Sequence, residues 1–249
     1  MAIGKRVSLA FMKQPSSPKA VYALTGFLGC KSDWDFFQAT DFGVDHLISI
    51  VPEPTLTLEA WGSDFSSNKS CQNILLGYSL GGRLTLHALL ANPLLWKAAI
   101  IVSAHPGLTS ETEKNERLQK DQKWADRFLS EDWDTLLSEW NSQAVLKASL
   151  PLARNEKDYD RKKLAQMLQI WSLGKQANLR EGLSDLSLPI LWITGGKDVS
   201  YTALSQTVTL NHPLSCKKII SQSGHRVPWD NPISFKETVS CWLKTVLCE

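Results

Sequence analysis

Asn73-Ile74-Leu75-Leu76-Gly77-Tyr78-Ser79-Leu80-Gly81-Gly82-Arg83 decides how this chain is read. An apolar run from Asn73 to Gly77 gives way to G-x-S-x-G and then to a helix-period segment, so the serine stands on a strand-to-helix turn. Such a turn is strained. The flanking glycines leave room for neighbouring backbone, and the helix start beyond Ser79 favours negative charge developing there. Ser79 is therefore a candidate nucleophile or base.

Runs like the one before Gly77 recur along the chain. Ala20 to Leu24, His46 to Val51, Lys97 to Ser103, Leu188 to Thr194 and Lys217 to Ser221 are short and rich in Val, Ile and Leu, as strands buried on both faces are. Several lead through a glycine into a helical pattern, which predicts an α/β fold with a mostly parallel central sheet flanked by helices. The last helix is the best marked: Asn231 caps it, Pro232 takes its first position, and Phe235, Val239, Trp242, Leu243 and Val246 form one stripe. Residues 105–184 differ. They hold 26 of the 52 charged residues and no strand-like run, so a helical insertion is expected between core segments 1–104 and 185–249. Ser110 and Glu113 have capping-box spacing for a helix reaching about Phe128. Trp133, Leu136, Leu137 and Trp140, then Leu164, Met167, Leu168 and Trp171, repeat at helical spacing. Those tryptophans suit a core or a pocket between insertion and sheet.

With 249 residues, 43% apolar and 21% charged, the chain is globular in composition, and its net charge of +2 comes without a basic block that could track phosphates. Nucleic acid is a poor partner. Cys30, Cys71, Cys216, Cys241 and Cys248 have neither C-x-x-C nor zinc-ligand spacing, so free thiols and no metal are expected. The run Val7 to Met12 is too short for a signal peptide or a membrane span. A cytoplasmic setting follows as the default.

A serine of ordinary acidity needs a histidine, and the histidine needs an acid to fix its tautomer. Asp198 stands in Gly195-Gly196-Lys197-Asp198 beyond one strand-like run, and His225 in Ser223-Gly224-His225 beyond the last. Their order, Ser79, Asp198, His225, is that of the α/β-hydrolase triad. His46 opens a strand, His87 lies inside the helix after Ser79, His105 begins the insertion and His212 adjoins Pro213, so these four are weaker candidates. Two backbone N–H groups would complete an oxyanion hole: Leu80, after the serine, and Phe27, in Thr25-Gly26-Phe27 after the first strand.

These residues resemble one branch of the α/β-hydrolase fold, the 2-succinyl-6-hydroxy-2,4-cyclohexadiene-1-carboxylate synthases of menaquinone biosynthesis. The resemblance covers most of the chain and is most specific at Leu76 to Arg83, Ser103-Ala104-His105-Pro106-Gly107-Leu108, Glu116-Arg117 through Trp124, Arg127-Phe128-Leu129, and Trp140. It implies a lyase without metal or organic cofactor that eliminates pyruvate from a cyclohexene tricarboxylate, with a helical cap inserted after the sixth strand. Ser79, activated by His225 and Asp198, would be the base. Tyr78, Arg83, Arg117 and Trp140 match substrate-contacting positions, and guanidinium forks suit a small polycarboxylate. Arg154, chosen over Arg161, would be the third carboxylate-binding arginine. Three departures stand out: Thr25-Gly26 where the family has His-Gly, Val51-Pro52-Glu53-Pro54 in place of Asp-x-Pro-Gly-His-Gly, and a stretch after Trp140 shorter than in some relatives, which bears on the choice of the third arginine. The same triad would also serve a carboxylic-ester or thioester hydrolase, and a hydrolase fold can be kept as a non-catalytic binding protein. Arginines converging on the pocket favour the polycarboxylate; an apolar slot favours an acyl chain.

Overall fold

The computed structural model describes residues 20–67, 69 and 72–248; the run Val7 to Met12 and Cys71 lie outside the described residues. Six strands, β1 (Ala20–Leu24), β2 (His46–Ile50), β3 (Asn73–Tyr78), β4 (Trp96–Val102), β5 (Ile190–Gly195) and β6 (Cys216–Ile220), form one sheet in the order β2-β1-β3-β4-β5-β6. Every pairing is parallel. The apolar runs of the sequence mark all six strands to within two residues.

Period-2 alternation divides the strands between two cores. Ile74, Leu76 and Tyr78 of β3 pack with Ala98, Ile100 and Val102 of β4 on one face, while Leu75, Ala99 and Ile101 enter the other. Full burial of each such Leu or Ile stabilises the fold by roughly 1.5–3 kcal/mol, which is why the central strands tolerate no polar face. The first core is closed by α9 (Pro232–Leu247), whose buried Phe235, Val239, Trp242, Leu243 and Val246 are the predicted stripe. Asn231 caps it, its side chain accepting the Ser234 N–H at 3.2 Å. The second core is closed by α1 (Leu58–Ser67) and α2 (Leu80–Ala91).

The helical segment contains α3 (Glu111–Ser130), α4 (Trp133–Ser142), α5 (Arg161–Ile170) and the short α6 (Arg180–Ser184), with no strand among its residues. It leaves the sheet after β4, the fourth strand among the described residues. Only four strand-like runs precede residue 105 among the described residues; β5 and β6 follow the segment. Side-chain caps start its helices: Ser110 Oγ accepts the Glu113 N–H, and Asp132 and Asp160 do the same for α4 and α5. Trp124, Phe128, Leu136, Leu164 and Leu168 join the second core. The Val51–Pro54 stretch is one of their anchors. Pro52 and Pro54 are buried, Glu53 pairs with Lys163 at 2.7 Å, and the Trp171 indole donates to the Leu56 carbonyl at 2.9 Å.

The strand order reverses between β1 and β3, because β2 lies to one side of β1 and all later strands lie to the other. Loops leaving the carboxyl ends of these two strands diverge there and open a crevice. Two further helices, α7 (Val199–Gln206) and α8 (Val227–Asp230), follow β5 and β6 at the same end. Among the described residues no helix is long and apolar enough to cross a membrane.

Candidate active site

Ser79 sits between β3 and α2 with φ +53° and ψ −113°, a conformation costing of order 1–3 kcal/mol that persists only when its surroundings enforce it. Glycines on either side make it possible. A Cβ at Gly77 would collide with Thr85 Oγ1 in the first turns of α2, and one at Gly81 with the Thr25 carbonyl at the end of β1. The turn thus projects Ser79 into the β1/β3 crevice.

Ser79 Oγ lies 3.0 Å from His225 Nε2, and His225 Nδ1 lies 2.7 Å from Asp198 Oδ2. A carboxylate at Nδ1 holds the proton on that nitrogen and leaves Nε2 free to accept from the serine. The other carboxylate oxygen of Asp198 caps α7, accepting the Tyr201 N–H at 3.2 Å, so two bonds fix the acid. The loops carrying acid and histidine are laced together: Gly196 N–H donates to the Ile220 carbonyl and Lys197 N–H to that of Ser223. His225 alone of the five histidines lines the pocket. His87 and His105 are held neutral by burial, with pKa values pushed down to about 4 and about 3, nearby arginines adding to the effect.

Phe27 and Leu80 both line the pocket beside Ser79. Neither N–H has an acceptor among the described residues, Leu80 because it opens α2 and has no carbonyl one turn before it. A tight turn frees Phe27: Gly29 N–H returns to the Gly26 carbonyl at 3.0 Å and Leu28 has φ +59°. Thr25 is fully buried with its Oγ1 unpaired among the described residues. Its N–H donates to the Ile50 carbonyl, so main-chain bonding sets the start of this loop.

The pocket wall is cationic. Arg83 is buried, one turn after Ser79; its Nε donates to Gln176 Oε1 at 2.5 Å and its Nη2 has no partner. Burial, and then the neighbouring Arg117, pull its pKa down to about 9, the mark of a cation short of negative charge. Gln176 is oriented by its own donation to the His105 carbonyl. Arg117 pairs through Nε with Asp121 at 2.8 Å, and Asp121 also accepts from Ser172. Arg154 reaches the pocket, but its guanidinium is matched bidentately to Asp33 at 2.7 and 3.0 Å and touches Cys30 Sγ. Arg161 is directed away, bonded to the Phe128 and Glu131 carbonyls and to Glu156. Tyr78 and Trp140 both line the cavity; Trp140 lies 4.7 Å from the Phe27 ring, and Tyr78 stands between His225 and Trp229.

Four residues of the site were not singled out in the sequence. Besides Gln176 and Tyr201, Arg226 lines the pocket, buried and without an ion pair among the described residues. It donates to the Leu150 carbonyl at 3.0 Å and to Asn141 Oδ1 at 2.5 Å. Asp230 accepts from the Gly224 N–H (2.8 Å), Ser149 Oγ (2.7 Å) and the Leu150 N–H (3.0 Å). Residues on both sides of His225 are thereby tied to the stretch after α4. Position beside His225 was the one available signal for Arg226, and Asp230 offered none.

No protein-family model matches the chain. It is 32% identical over 244 residues to the 2-succinyl-6-hydroxy-2,4-cyclohexadiene-1-carboxylate synthase of Photorhabdus laumondii, covering 88% of this chain and 84% of that protein. The synthase of Klebsiella pneumoniae is 30% identical over 240 residues, covering 88% and 91%. Among solved structures, MenH from S. aureus aligns with a TM-score of 0.82 over 94% of this chain and 96% of its own, at 20% identity. A thermophilic esterase from Thermogutta terrifontis aligns at 0.68 over 98% and 99%, with 16% identity. The structural likenesses show the α/β-hydrolase fold. The sequence matches run through the sheet and the helical segment alike, and by them the chain belongs to the 2-succinyl-6-hydroxy-2,4-cyclohexadiene-1-carboxylate synthase family.

Proposed function

We propose that this chain is a lyase that eliminates pyruvate from 2-succinyl-5-enolpyruvyl-6-hydroxy-3-cyclohexene-1-carboxylate in menaquinone biosynthesis, with residues 105–184 as its cap. One observation carries the assignment beyond the triad: the pocket above Ser79 is walled by Arg83, Arg117 and Arg226, and the Arg83 Nη2 is buried without a partner. A buried cation in that state is costly and is relieved by an anionic ligand. An acyl-ester substrate would leave it unrelieved, which favours the tricarboxylate over the esterase reading.

In this mechanism His225 Nε2 draws the hydroxyl proton of Ser79, and the serine oxygen removes the ring proton beside the succinyl carbonyl. Negative charge moves onto that carbonyl oxygen, where the N–H groups of Phe27 and Leu80 receive it. The electron pair then returns to form a ring double bond at the deprotonated carbon, the existing ring double bond shifts one position toward the enolpyruvyl-bearing carbon, and the C–O bond there breaks. The group leaves as the enolate and becomes pyruvate after taking up a proton. Asp198 steadies the imidazolium that exists between the two proton transfers. Arg83 and Arg117 hold carboxylates, and Tyr78 and Trp140 enclose the ring. We place the reaction in the cytoplasm, with Cys30, Cys216, Cys241 and Cys248 as thiols.

The test is pyruvate release from the enzymatically made tricarboxylate. Purified protein is expected to release it rapidly, and Ser79→Ala to slow kcat by at least about a thousandfold while remaining folded. Full activity in Ser79→Ala removes Ser79 from the reaction. No release by folded wild-type protein returns the esterase reading.

A further inference from the structure

Tyr201 begins one helical turn after Asp198 and reaches back over the triad. Its ring meets the edge of His225 with centroids 4.5 Å apart at 72°, and it lines the pocket. Its N–H is committed to Asp198. The hydroxyl has no hydrogen-bond partner among the described residues, in contrast to Tyr159, whose hydroxyl donates to the Leu28 carbonyl at 2.9 Å.

Packing against His225 does not account for this oxygen. A phenylalanine ring would make the same edge contact, so the contact with His225 gives the oxygen no role. Half-buried on the lining of the pocket, the hydroxyl is open to a ligand that supplies its partner. The surroundings indicate what kind: Arg117 and Arg83 line the same pocket, Arg83 has the unpaired Nη2, and the Nη groups of Arg117 are unengaged among the described residues because only its Nε is bonded. Three donors lining one pocket, all short of acceptors, suit one carboxylate.

We propose that the Tyr201 hydroxyl is a further substrate-binding group, donating to the same carboxylate that Arg83 and Arg117 hold. This rests on the tricarboxylate reading above and adds a specificity-determining contact to it. The hydroxyl takes no part in proton transfer; its role is to orient the substrate, and the ring keeps its place against His225 whatever stands at the tip.

Tyr201→Phe removes one oxygen and nothing else. Titration calorimetry with the tricarboxylate, comparing Ser79→Ala with Ser79→Ala/Tyr201→Phe, is expected to show affinity weakened about ten- to a hundredfold, the range for a hydrogen bond to a charged group. The melting temperature should not fall. In otherwise native protein Tyr201→Phe should raise KM more than it lowers kcat. Equal affinity in the two proteins overturns the contact. Wild-type turnover is read separately: turnover with equal affinity leaves the lyase assignment standing without Tyr201. Binding without turnover removes the lyase assignment while the contact stands, and no binding to Ser79→Ala overturns both.

Discussion

At Arg83 the protein carries a charge that its own fold does not neutralise. The guanidinium is buried, donates once to Gln176, and otherwise faces the pocket. Stability and binding therefore pull in opposite directions at this residue. Arg83→Met should leave the melting temperature unchanged or raise it, because an uncompensated buried charge is replaced by a flexible apolar chain. The same substitution should raise KM about ten- to a hundredfold. Thermal unfolding beside steady-state kinetics checks both signs, and a loss of stability without a change in KM would make Arg83 a structural residue. Arg154 is the useful contrast. Its bidentate partner Asp33 already fills the role that a substrate carboxylate would take, so of the arginines marked in the sequence Arg83 and Arg117 are those with donors to spare.

At the level of elements, the loop between β6 and α8 is held from the helical segment. Asp230 gathers Gly224, Ser149 and Leu150, and Arg226 spans to Asn141 and Leu150, with His225 between the two attachments. Asp230→Ala would leave two main-chain N–H groups and a hydroxyl without their acceptor and free the histidine to wander, and a displacement of about 1 Å can cost about a hundredfold in rate. We expect kcat to fall about ten- to a hundredfold with a smaller change in KM. Asp230→Asn, which keeps one acceptor oxygen, should lie between. An Asp230→Ala enzyme with normal kcat would show that Asp198 alone positions the histidine.

The same scale shows what could be read in advance. The six strands were legible because residues such as Leu75 and Leu76 are buried on opposite faces, which writes an unbroken apolar run. The triad was legible because β3, β5 and β6 each end in a short motif whose order is informative. The attachments of Asp230 and Arg226 were not legible: residues 141–150 and 224–230 meet only in three dimensions, and no local spacing encodes that meeting. Thr25 and the Val51–Pro54 stretch looked like defects in sequence. In the structure the loop that Thr25 opens keeps the Phe27 N–H without an acceptor among the described residues, and Glu53 of the second pairs with Lys163 of α5.

For the molecule as a whole, the cost of its buried imidazoles appears in acid. His87 and His105 have folded pKa values near 4 and 3 because burial opposes their charging. In the unfolded chain they protonate near 6.5. Their neutral forms therefore stabilise the fold fully above about pH 6.5, and that contribution is lost as pH falls through the window toward 4 and then 3. His87→Leu should flatten the decline in melting temperature between pH 7 and 4.5, since it also removes the unpaired Nε2 inside α2. An unchanged slope would assign the acid sensitivity to His105 and carboxylates instead.

The double attachment around His225 also bears on how freely the parts of this protein can be exchanged. Residues 105–184 look like a module, entering after β4 and returning before β5, and a chimera would naturally be cut at those borders. Yet Ser149, Leu150 and Asn141 find their partners in residues 224–230, 75 or more positions away. A transplant of the insertion alone would arrive on a foreign core without Asp230 and Arg226, and would leave the native core with a histidine loop held only from the Asp198 side. The heritable unit is discontinuous: the inserted helices together with the short stretch from Gly224 to Asp230.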